Sequence, residues 1–191
     1  MVKGSSEHTL LVNVAICLTR KSDEFPCPLF DMGYQLECIG LKFGNRDGQI
    51  INPDLSIRGD MHQSLFLVDC KSGGVKHVQA GRYARLTAED IVSANVTSMD
   101  SANLVLDIAF FGTDRNREKL AEADKRGQYG IPVVILDRLL LKKDINQFKT
   151  QKLDELFANG VKFLKKPPTS FYPFSADDPP SYVLMEIASI L

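Results

Sequence analysis

One apolar run that ends in charge constrains this chain more than any other stretch. Leu65-Phe66-Leu67-Val68 is followed at once by Asp69-Cys70-Lys71. A run of that length reads as a buried strand, and alternate side chains of a strand share a face, so Asp69 and Lys71 point the same way. Asp54 of a Pro53-Asp54 pair stands 15 positions before Asp69. Two carboxylates and an ammonium at the end of a hydrophobic strand lose several kcal/mol of solvation unless something pairs with them. A divalent cation is such a partner.

The elements around this run can be read from periodicity and punctuation. Residues 8–20 are apolar, with helix and strand both open and a lean to helix. KSDEFPCP is a loop. Between residues 29 and 43, Leu29, Met32, Leu36, Ile39 and Phe43 recur every three or four positions, which is a helical stripe, weakened by Gly33 and Gly40 and with a second half that could begin a strand. Asp47-Gly48 marks a turn. QIINPDLSI and SLFLVDCK, joined by the polar RGDMHQ, read as adjacent antiparallel strands, with Pro53 at an edge or boundary. Gly73-Gly74 ends the second strand.

KHVQAGRYARLTAEDIVSAN is helical, with Val78, Tyr83 (or Arg82) and Leu86 along one side and a break before Thr87, which caps a second helix. ANLVLDIAFFG is a third strand. DRNREKLAEADKRGQYG is a charged, solvated helix closed by Gly127 or Gly130. IPVVILDR is a fourth strand, interior and parallel to its neighbour. DINQFKTQKLDELFANG is an amphipathic helix ended by Asn159-Gly160. A Pro-rich loop carrying Phe171 and Tyr172 precedes a last helix over 181–191. Strands separated by helices build a mixed sheet covered on both faces.

The bulk numbers bound the class of protein. At 191 residues, 44% hydrophobic and 25% charged, the chain suits one domain with a full core. No apolar run approaches the length of a membrane span, and residues 8–20 lack the basic start and the cleavage site of a signal peptide, so the expected location is cytoplasmic or otherwise intracellular, at the nucleoid if the source is bacterial or archaeal. A net charge of -1 draws the protein to no polyanion globally, so any such site is a local patch. Four cysteines, none beyond Cys70 and with no CxxC pair, make neither a zinc site nor a disulfide framework. His8, His62 and His77 are isolated, and Lys142-Lys143 and Lys165-Lys166 read as surface charge.

Asp54, Asp69 and Lys71 together have a chemistry. Aspartates on neighbouring strands can reach one oxygen-preferring ion, and the backbone carbonyl of Cys70 can add a third ligand. Magnesium or manganese suits such a shell of carboxylate, carbonyl and water. Lys71 beside the metal can orient or help deprotonate a water and offset charge on a phosphoryl group. Metal-assisted hydrolysis of a phosphodiester follows.

Pro53-Asp54, the spacing to Asp69 and Asp69-Cys70-Lys71 resemble the signature of the PD-(D/E)XK nuclease superfamily. The order of helices and strands is similar to that family's common core. Gln79 and Tyr83 in QAGRY resemble the Q-x-x-x-Y element of RecB-like exonucleases, and their i, i+4 spacing puts both on one helix face. The resemblance covers about residues 28–138 and implies a three-layer α/β/α domain with a central mixed sheet and a restriction-endonuclease-like core, inside a single domain over 1–191 whose residues 139–191 form a C-terminal helical extension. It implies metal ligation by Asp54, Asp69 and the Cys70 carbonyl, assistance by Lys71, and positioning of phosphates or catalytic groups by Gln79 and Tyr83. Such families often complete the metal shell from the first core helix, where Glu37 is the first candidate and Asp31 the second. Iron–sulfur relatives use cysteines downstream of the core, and none lies there.

Lys76, Arg82 and Arg85 are then candidates to line the cleft as phosphate contacts, with His77 beside Gln79. The implied partner is nucleic acid, DNA before RNA, and a homodimer or a larger defence, repair or recombination assembly is compatible with the chain. One alternative is an RNA endonuclease of the cap-snatching type, which usually adds a histidine on an early helix; His8 lies too near the polar start for that role. The other is a non-catalytic scaffold or nucleic-acid-binding member of the fold, whose hallmark is loss of a carboxylate or the lysine.

Overall fold

The computed structural model describes residues 6–97 and 99–167. The Pro-rich loop with Phe171 and Tyr172 and the helix expected over 181–191 lie outside them. The chain runs α1 (Ser6–Leu18), α2 (Pro28–Asp31), β1 (Tyr34–Ile39), β2 (Phe43–Gly44), β3 (Ile50–Ile51), β4 (Leu55–Gly59), β5 (Ser64–Cys70), α3 (His77–Ala84), α4 (Ala88–Ser93), β6 (Val105–Thr113), α5 (Arg117–Gly127), β7 (Val133–Asp137), β8 (Leu140–Ile145), α6 (Gln151–Asn159) and β9 (Val161–Lys162). Seven strands form one mixed sheet in the order β1-β4-β5-β6-β7-β8-β9, and β2 and β3 make a separate hairpin.

β5 is parallel to β6 and β6 to β7, whereas β1, β4, β8 and β9 run antiparallel to their neighbours. The near-continuous apolar runs become the central strands because both faces there are covered. All seven residues of β5 are buried. One face carries a core with Leu11, Val14 and Leu18 of α1, Phe66 and Val68 of β5, and Leu153 and Phe157 of α6. The opposite face carries Leu65 and Leu67 of β5, Ala80 and Tyr83 of α3, and Leu120 of α5. The protein is thus a three-layer α/β/α domain with a central mixed sheet. No helix among the described residues is long and apolar enough to cross a membrane.

The helical stripe over 29–43 does not form a helix. α2 ends at Asp31, Gly33 turns the chain at φ +81°, and β1 pairs with β4 from Tyr34 opposite Gly59 to Ile39 opposite Leu55. Leu29 and Phe43, the two ends of the stripe, are buried on opposite faces of the sheet, which no single helix face could achieve. QIINPDLSI is likewise split, with Ile50–Ile51 in the hairpin and Leu55–Gly59 in the main sheet. On α3 the buried residues are Ala80, Gly81 and Tyr83, and Val78 is exposed. Residues 140–162 supply β8, α6 and β9 to the same sheet and core, so they belong to the body of the domain and are not an appended helical extension. Lys143 of β8 pairs with Asp154 of α6.

Candidate active site

Strand β5 delivers Asp69 to the carboxyl end of the sheet, in register with Phe110 of β6. The Lys71 amide continues that ladder, donating to the Phe111 carbonyl at 2.7 Å. Residues 69 and 71 share a face, and the Lys71 Nζ lies 2.6 Å from the Asp69 Oδ1. The second Asp69 oxygen accepts from the Gln79 Nε2 at 3.0 Å. Tyr83, one turn further along α3, is buried with its ring edge-on to Phe110. Its hydroxyl faces Asp69 without completing a hydrogen bond.

Asp54 precedes β4 and reaches across to the end of β5. Its Oδ2 accepts from the Cys70 amide at 2.6 Å, and its Oδ1 lies 3.0 Å from the His8 Nε2. His8 is on α1, in the layer opposite α3. The two helical layers therefore clasp the two carboxylates from opposite sides of the sheet.

Burial governs the electrostatics. The Asp69 side chain is 4% exposed, and its carboxyl is pushed up to about 6, chiefly by burial and against the pull of the Lys71 ammonium. Burial and then the Asp69 charge push the Tyr83 hydroxyl up, so it stays a protonated donor. The hydrogen bond with Asp54 raises the His8 imidazole, against a smaller opposing effect of burial. The Cys70 thiol, buried in the opposite core, is raised well above its ordinary value by burial, which disfavours the thiolate; what Cys70 can offer a ligand is its carbonyl.

The structure gathers Asp54, Asp69, Cys70, Lys71, Gln79 and Tyr83, and leaves Glu37 out. Glu37 is on β1, not on a helix, and its Oε1 pairs with the Arg58 Nη1 at 3.4 Å. Arg58 stands opposite Leu65, four residues from Asp69, or about 13 Å along the strand at ordinary rise. Asp31 ends α2 and joins no interaction with the aspartates among the described residues. Of the four candidate phosphate contacts, Lys76 and His77 open α3 and are exposed. The His77 ring packs on Tyr129 with centroids 5.1 Å apart. The Arg85 Nη2 donates to the Gln49 Oε1 at 3.3 Å. Arg82 is half-buried, and its Nε is buried with no hydrogen-bond partner among the described residues.

Three residues at the site escaped the sequence reading. His8, set aside as too near the start, contacts Asp54. Glu7 accepts a hydrogen bond from the Thr113 Oγ1 at the end of β6. Asn116 donates to the main-chain carbonyls of Lys71 and Gly73. For Glu7 and His8 the signal was the apolar helix of residues 8–20, whose polar start had to lie at one end of the sheet; nothing in the sequence singled out Asn116.

The donors suit a hard cation bound from one side. Each Asp54 and Asp69 oxygen already has a protein partner, and among the described residues no three His, Cys, Asp or Glu side chains converge as a cage. A cation here would be held by Asp54, Asp69 and the Cys70 carbonyl, with water and substrate oxygens filling the shell, as magnesium typically prefers.

Residues 7–172 match the sequence model of the MJECL32 domain, and the chain belongs to that family. No curated protein and no solved structure matches it.

Proposed function

We propose that the protein is a nuclease of the PD-(D/E)XK type that hydrolyses phosphodiester bonds with a divalent cation, DNA being the favoured substrate. The observation that carries this reading is the convergence of Asp54, Asp69, Lys71 and Gln79 at the end of β5, with an ammonium 2.6 Å from a nearly buried carboxylate. A structural ion pair needs neither Gln79 nor Asp54. A magnesium or manganese ion held by the two aspartates would supply Lewis-acid stabilisation of the phosphoryl oxygens.

The remaining tasks belong to the chain's own groups. Gln79 holds the second Asp69 oxygen and so sets the plane of the carboxylate. Lys71, its ammonium beside Asp69, would orient a water toward phosphorus and offset charge in the transition state. Tyr83, protonated and facing Asp69, offers a donor to an oxygen at the same place. Arg82, half-buried on the same helix as Gln79 and Tyr83, is a candidate to reach a phosphate through its guanidinium.

A second reading keeps the fold and makes RNA the substrate. It is favoured by His8, because an imidazole on an early helix lies 3.0 Å from Asp54, the arrangement expected of a cap-snatching type of endonuclease. The deciding experiment is a cleavage panel of labelled single- and double-stranded DNA and RNA with manganese or magnesium, run with Asp69→Asn and Lys71→Ala as controls. Cleavage of DNA abolished by both substitutions supports the first reading, and cleavage confined to RNA supports the second. Metal-independent cleavage overturns both as metal-dependent mechanisms, and no cleavage of any substrate overturns both and leaves a non-catalytic module.

A further inference from the structure

We propose that Asn116 is a positioning residue for Lys71. The proposal rests on the nuclease reading and deepens it. Lys71 is the last residue in the ladder before the chain turns away through Ser72, Gly73 and Gly74, and a long side chain entering a glycine-bearing turn keeps conformational freedom unless the main chain there is held. Asn116 removes that freedom. Its Nδ2 donates to the Lys71 carbonyl at 2.6 Å and to the Gly73 carbonyl at 2.8 Å. Its Oδ1 accepts from the Thr113 amide at 2.8 Å. Both donors and the acceptor of the amide are engaged, and the residue is 4% exposed.

The site is thereby fixed from the end of β6. Thr113, which anchors the Asn116 oxygen, also donates its hydroxyl to Glu7, the neighbour of His8. One corner, Thr113 to Asn116, thus ties the lysine on one side and the start of α1 on the other. Neither residue touches Asp54 or Asp69 in the described contacts, so the role is positional.

Asn116→Ala and Asn116→Asp separate this role from simple capping of the turn after β6. Aspartate keeps the oxygen that accepts from Thr113 but sets a second oxygen against two carbonyls, so it preserves the cap and destroys the tether. On a substrate that the wild type cleaves, both variants are expected to lose about 10²-fold in kcat, as a displacement near 1 Å can cause, with KM within about twofold. An Asn116→Asp enzyme with wild-type kcat overturns the proposal. The rate of reductive methylation of Lys71, read by peptide mass spectrometry, tests the tether whether or not the protein cleaves nucleic acid. It is expected to rise several-fold over wild type in Asn116→Asp, and an unchanged rate overturns the tether even where the nuclease reading stands. Should Asn116→Ala fail to fold, Asn116→Asp carries both measurements.

Discussion

At the scale of the residue, Asp69 sets the behaviour of the site. A carboxyl whose folded pKa lies above its unfolded value binds its proton more tightly in the native state. Its stabilising contribution is therefore complete below the ordinary carboxyl range, about pH 4, and is lost as pH rises through about 6. Relative to Asp69→Asn, the wild-type unfolding midpoint is expected to fall across that window and then level off; a difference that does not vary with pH would refute the assignment. On the proposed nuclease reading, manganese affinity should rise over the same window as Asp69 ionises. His8, whose pKa is raised by Asp54, also contributes stability that is present below the usual imidazole range and is lost as pH rises through its raised value.

The ion pair itself gives a second test at this scale. Removing the ammonium leaves a buried carboxylate alone, so Lys71→Met should cost about 3 kcal/mol at pH 8. The double variant Asp69→Asn/Lys71→Met should recover most of that loss while remaining inactive, as measured by denaturant unfolding. Retained stability in the single variant would mean that water reaches Asp69. His8→Ala should lower cleavage about 10- to 100-fold if the imidazole tunes the Asp54 carboxylate.

At the scale of the element, the ends of strands and helices decide what reaches the site. Gly112 on β6 sits under α5, where an added Cβ would lie 2.3 Å from the Leu120 Cδ1 and 2.8 Å from the Asn116 Oδ1. Leu120 can shift its methyl group, but Asn116 is held at three points. Gly112→Ala should therefore destabilise by about 1–3 kcal/mol through overpacking and speed Lys71 methylation. Unaltered stability and methylation would show that the corner is slack. Thr87 caps α4 through a reciprocal box with Asp90, and Asp90 also binds Arg46 of the turn between β2 and β3 at 3.0 Å. That break between α3 and α4 was legible in Thr87-Ala88-Glu89-Asp90, because a capping box is local chemistry. The strand character of residues 34–39 was not, because Leu36 and Ile39 stand three apart, a helical spacing, and the strand is set by pairing with β4 through a register shift between Leu36 and Cys38.

At the scale of the whole molecule, the sheet is a single body from β1 to β9. Phe157 of α6 packs on Phe148, Phe111 and Phe66 with centroids 5.2, 5.7 and 6.1 Å apart, so the C-terminal segment is fastened to β5 and β6 directly. Phe157→Ala should cost about 3–5 kcal/mol, and a chain cut after residue 138 should lose its cooperative unfolding transition. A cooperative transition in that truncated chain would restore residues 139–162 to the status of an extension.

The sequence by itself determined the central strands, because continuous apolar runs of that length must be buried on both faces. It also determined the order of Asp54, Asp69, Lys71, Gln79 and Tyr83, because strand alternation and the helical repeat are local geometry. The tertiary structure alone decided that β1, β8 and β9 are strands, since their polar, half-buried sequences acquire that state only from partners far along the chain. It also decided that Glu37 stands apart while His8 and Asn116 stand at the site. Which end of the sheet a helix's polar start or a strand's last turn meets is a matter of packing, and no spacing along the chain encodes it.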